Sequence, residues 1–126
     1  MRRAREAKER LMKANPIEEK SFAFAVRIIG LYKHLSENKH EYILSKQILR
    51  SGTSIGANVA EAQRGQSKAD FSAKMAIALK EANETEYWLR LLHASDYMNE
   101  ADFQSMSQDA NELISILVAI CRSSTS

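Results

Sequence analysis

The chain has 126 residues with one proline, four glycines and one cysteine; 44 % of the residues are apolar and 27 % charged. That length supports one hydrophobic core but not two. The scarcity of proline and glycine leaves long helices almost uninterrupted, no useful run alternates β-branched with polar residues, and no apolar run approaches the roughly 18 residues of a membrane span, so the fold class is expected to be all-α and not membrane-spanning.

Residues 1–14 form a basic N-terminal arm, with Arg2, Arg3, Arg5, Lys8, Arg10 and Lys13 against Glu6 and Glu9. No apolar signal core follows it. Asn15-Pro16 then punctuates the chain, because the residue before proline avoids the helical region and proline suits a first helical turn. Helix 1 is expected over about 17–36. Its apolar residues fall on two faces: Phe22, Val26 and Ile29 on one, and Phe24, Ile28, Leu31 and Leu35 on the other. A helix that is apolar on two stripes needs two partners.

A turn at 36–39 leads to helix 2, expected over about 40–63. Ile48, Ile55 and Val59 mark one face, while Gly52, Gly56 and Ala60 form a ladder of small residues beside it. An interior glycine costs about 1 kcal/mol against alanine, so the ladder predicts a close-packed neighbour. Gly65 is expected near the helix C-terminus. Ser67 with Asp70 reads as an N-cap for helix 3, about 68–95. There Phe71, Met75, Ala78, Ala82, Leu89 and Leu92 track one stripe, and Ile77, Trp88 and Leu91 a second. Asn99 caps helix 4, about 100–122, with Phe103, Met106, Ala110, Leu113, Leu117 and Ile120 in unbroken 3-4 spacing. Residues 123–126 read as a frayed polar tail. Four helices with short connections predict an up-down-up-down antiparallel bundle over 15–122. The surplus apolar faces predict self-association.

Charge is unevenly placed. Residues 1–80 carry 16 Lys/Arg against 8 Asp/Glu, and residues 81–126 carry 2 against 8. A polyanion would meet the first part and avoid the second; alternatively, the two halves pair with each other within or between subunits. The lone Cys121, set among Ile116, Leu117, Val118 and Ile120, reads as a small apolar residue in a reducing, cytoplasmic setting.

Few constellations suggest catalysis. Glu37 and His40 give one Glu-x-x-His, whereas di-iron bundles use that element twice, so no metal or other cofactor is expected. Ser51 and Ser54 have no histidine nearby in sequence. Glu81, Glu84 and Glu86 read as a solvated face or a subunit salt bridge rather than an acid–base pair. Gly52-x-x-x-Gly56 lacks the Gly-Lys-Ser/Thr of a phosphate loop. A basic surface remains, with Arg50 and Arg64 joined by Lys46, Lys68, Arg2, Arg3 and Arg5, since arginine's planar fork suits phosphate contacts.

The run Gln47-Ile-Leu-Arg-Ser-Gly-Thr-Ser-Ile-Gly-Ala-Asn-Val-Ala-Glu-Ala62, with Ser67-Lys-Ala-Asp-Phe71, the stretch from Ala76 to Leu92 and Asn15-Pro-Ile-Glu-Glu-Lys-Ser-Phe22, resembles the four-helix bundle protein family. That family is also called the 23S ribosomal RNA intervening-sequence protein, or S23, family. The resemblance implies a bundle assembled as a ring-like homopentamer. It also implies kinship with the accessory proteins of diversity-generating retroelements, which bind nucleic acid and a reverse transcriptase. It brings no catalytic residues to this chain. The expected function is therefore a non-enzymatic homo-oligomer that binds RNA or DNA through the basic surface. The alternative is a scaffold for another protein, such as a reverse transcriptase or a ribosome-associated factor.

Overall fold

The computed structural model describes Arg2 and residues 15–125; the rest of the basic arm, Arg3 and Arg5 included, lies outside the described residues. Within residues 15–125 four helices follow in chain order: α1 (Pro16–Lys33), α2 (Leu44–Gln63), α3 (Lys68–Ala94) and α4 (Glu100–Thr125). Among the described residues no strand occurs and no helix is long and apolar enough to cross a membrane.

Pro16 opens α1, and Glu18 and Glu19 lie in its first turn, where the helix dipole favours negative charge. α1 does not end cleanly. It passes into a π-helical turn, His34–Asn38, in which the Lys39 N–H reaches back to the His34 carbonyl at 3.2 Å.

α2 begins at Leu44, four residues later than the pattern from His40 suggested. His40 adopts the left-handed conformation (φ 55°), which takes the chain out of the helix. The Glu41 carboxylate then accepts the N–H groups of Ile43 (3.0 Å) and Ser45 (2.8 Å), satisfying donors that a helix start leaves open. Ser67 and Asn99 cap as the sequence indicates: their side-chain oxygens accept the N–H groups of Asp70 (3.1 Å) and Asp102 (2.8 Å). Gly65 has no positive φ. Its role is room, since a Cβ there would stand 3.2 Å from the Ala62 carbonyl and 3.3 Å from Asp70. α4 runs past Arg122 to Thr125, beyond its expected end.

One core holds the bundle together. Phe24, Ile28 and Leu35 from α1 and its π turn, Ile48, Ile55 and Val59 from α2, Met75 and Leu89 from α3, and Leu113 and Leu117 from α4 are all buried. The small-residue ladder of α2 faces α1. A Cβ at Gly52 would lie 2.7 Å from Ile28 Cγ1, and one at Gly56 would lie 3.3 Å from the Ser21 carbonyl oxygen. These pairings run in opposite chain order, as do Ser51–Thr85 and Glu61–Lys74 between α2 and α3. Between α1 and α4, Lys20 pairs with Glu112, while Arg27 meets Asp109 at 2.5 Å and Ser105 at 2.9 Å. The second apolar stripe of α1 stays outside: Phe22, Val26 and Ile29 are exposed.

Candidate nucleic-acid interface and the polar seam

The candidate cations do not converge. Lys46 lies in the first turn of α2 and Arg64 just past its last, eighteen residues apart. At 1.5 Å of rise per residue they are separated by about 27 Å along the axis. Arg64 and Lys68 flank the α2–α3 turn and are exposed. Arg2 is exposed and helical.

Arg50 is committed elsewhere. Its Nη1 lies 3.0 Å from Glu81 Oε2 and its Nη2 bonds to Glu84, so two carboxylates on α3 answer one guanidinium. Glu84 also accepts the Trp88 indole N–H at 3.1 Å. The hydrogen bond from Arg50, reinforced by that from Trp88, holds the Glu84 carboxyl below the usual carboxylate range, and the same bond to Glu84 pushes the Arg50 guanidinium up. Glu81 is the buried member, with its side chain 12 % exposed.

Just beneath lies a buried pair of hydroxyls. Thr85 Oγ1 is 2.8 Å from the Glu81 carbonyl oxygen and 2.9 Å from Ser51 Oγ. Its single proton goes to the carbonyl, so Ser51 donates to Thr85. Ser54 donates to the Arg50 carbonyl at 2.6 Å. Both serines are thus engaged in holding helices. Pairing from α2 to α3 spans 31 and 34 residues and leaves no local sequence signal, so Arg50 looks like part of a basic surface in sequence but is an ion-paired seam residue in the fold.

The histidines are engaged separately. His34 bonds to Asn38 at 2.9 Å, His40 to Tyr42 at 3.1 Å, and His93 stacks on Phe103 (4.2 Å, 4°) while meeting Glu100 at 2.7 Å. Among the described residues no group of His, Cys, Asp and Glu is placed to hold a metal ion. Burial pushes the half-buried Cys121 thiol up, away from the reactive thiolate. The bundle end that carries the π turn holds a cavity of about 390 Å³ bordered by His34, Lys39, Asp96, Tyr97 and Asp102. Its residues come from two connections and the helix ends beside them, so no local stretch of sequence marks it.

Comparison with known proteins follows the same fold. Residues 13–119 match the family described as 23S rRNA-intervening sequence protein. The chain is 52 % identical to a protein with unknown function from the S23 ribosomal protein family of Bacteroides thetaiotaomicron VPI-5482, whose crystal structure superposes with a TM-score of 0.84 over 86 % of this chain and 96 % of that one. No curated protein matches. This four-helix bundle belongs to the 23S rRNA-intervening sequence protein family.

Proposed function

We propose that this protein is a non-enzymatic homo-oligomeric bundle that binds RNA or DNA at one rim of its assembly. In this reading the helices run up-down-up-down, and the copies close into a ring of five, the number implied by the resemblance. The opposed order of contacts between neighbouring helices supports the topology. The exposed Phe22, Val26 and Ile29 support self-association.

The observation that carries the binding is placement. Arg64 and Lys68 are exposed at the bundle end where Asn15 joins residues 1–14 to α1, and neither forms an ion pair among the described residues. Glu18, Glu19 and Asp70 lie at the same end and offset them. In sequence, residues 1–14 precede Asn15 and carry six Lys/Arg against two Glu. Closed symmetry repeats that end around one rim, multiplying the phosphate contacts each copy makes.

Fluorescence anisotropy with labelled single-stranded RNA and duplex DNA tests the reading. Affinity is expected to fall steeply between about 50 and 200 mM salt. Deleting residues 2–13 is expected to weaken low-salt binding by about tenfold or more, roughly 1.4 kcal/mol. Arg64→Ala with Lys68→Ala should weaken it less, and Arg50→Ala should leave it unchanged. Absence of binding at low salt would overturn the proposal. The commitment of Arg50 to Glu81 and Glu84 favours a second reading, a protein-interaction scaffold. Capture of a protein partner that survives nuclease treatment would support that reading.

A further inference from the structure

Two sets of exposed apolar side chains lie on the outer faces of α1 and α3, with Tyr42 and Ile43 a third set ahead of α2; of these, Tyr87 also carries Arg90 over its ring at 5.6 Å. On α1, Phe22, Val26 and Ile29 are 71 %, 55 % and 42 % exposed; on α3, Ile77 and Tyr87 are 41 % and 49 % exposed. Contacts on the two sides of α2 fix their relative heights. Ser21 lies against Gly56 on one side. On the other, the Ser51–Thr85 contact and the Glu61–Lys74 ion pair bracket Gly56. Residues near 79 and 80 of α3 are therefore level with Ser21 of α1, and the two helices rise in the same direction. With about 1.5 Å of rise per residue in both, Phe22 stands within roughly a turn of Ile77, and Ile29 within roughly a turn of Tyr87.

Equal height is the condition that a ring sets. A rotation axis parallel to the bundle moves no copy along that axis, so only patches at the same level meet. Two different patches on two helices suit a head-to-tail contact, whereas a two-fold contact needs one patch to complement itself. Charge agrees with the head-to-tail arrangement. Glu18 and Glu19 stand at the foot of the α1 patch, and Lys80 stands between Ile77 and Tyr87. None of the three forms an ion pair within the protomer among the described residues.

Resting on the self-association proposed above, we infer that these patches are the two halves of one interface. Phe22, Val26 and Ile29 of one copy dock on Ile77 and Tyr87 of the next, with Glu19 facing Lys80. The occupant of each patch is a second copy of this chain.

Sedimentation velocity on the full chain and on two variants, Phe22→Glu and Ile77→Glu, tests the inference. Both positions are exposed, so helicity by circular dichroism should match that of the unmodified chain. Each variant alone is expected to sediment as a monomer, having lost one half of the interface. Mixed in equal amounts they are expected to form a one-to-one dimer, because each supplies the half that the other lacks. An unmodified chain that is monomeric would overturn the self-association reading and this inference with it. An oligomer that withstands Ile77→Glu, or a mixture that stays monomeric, would overturn the inference alone. Charge reversal is a second measure: Glu19→Lys should weaken association about tenfold, and adding Lys80→Glu should restore it.

Discussion

Replacing Gly52 with valine is expected to destabilise the bundle by about 2–3 kcal/mol. Even the first added carbon would stand 2.7 Å from Ile28 Cγ1 and 2.8 Å from Cγ2. Those atoms belong to the branch point of a fully buried side chain, not to a flexible tip that can swing aside. Relief of the glycine's poor helix propensity returns only a few tenths of a kcal/mol, so overpacking wins. Ile28→Ala in the Gly52→Val background should recover part of the loss, since two residues in contact couple. Gly30 supplies the contrast. No atom lies within 4 Å of its would-be Cβ, and Gly30→Ala should stabilise the protein by about 1 kcal/mol. Urea denaturation reads both effects, and a Gly52→Val protein as stable as the unmodified chain would refute the close-packed seam.

Arg50→Ala should cost about 1–3 kcal/mol, the penalty for leaving a buried charged group without its partner. The cost lies mainly in Glu81, whose side chain is 12 % exposed, rather than in the half-exposed arginine. Arg50→Lys should recover only part of it, because a single ammonium cannot serve two carboxylates as a planar fork does. The same cluster sets a pH dependence. The folded-state carboxyl of Glu84 titrates below its usual range, so its contribution is fully present at neutral pH. It is lost as pH falls through the depressed folded value. Denaturation midpoints taken down an acid series should therefore fall more steeply for the unmodified chain than for Glu84→Gln. Parallel curves would show that the pairing contributes nothing.

Much of this fold was legible because its signals are local. The 3-4 spacing of Met106, Ala110, Leu113 and Leu117, the caps at Ser67 and Asn99, and the glycine ladder on α2 each act over one or two turns. The second stripe on α1 was legible for the same reason: Phe22, Val26 and Ile29 share one face, and that face is exposed. The start of α2 was not. Apolar spacing continues through 40–43, but a left-handed His40 and the reach of the Glu41 side chain override it. The spatial arrangement of the candidate cations was not legible either. Lys46 and Arg64 share a helix but lie near its opposite ends, and the partners of Arg50 lie 31 and 34 residues away in sequence. Charge counted along a chain does not reveal which cations are already answered.

Trp88, the sole tryptophan, gives the polar seam an optical readout. Its indole N–H is bound to the carboxylate that Arg50 holds. The emission of this one indole, excited at the red edge where tyrosine does not absorb, therefore reports the join between α2 and α3 with no label and no second tryptophan. The chain carries its own gauge of whether that join is closed.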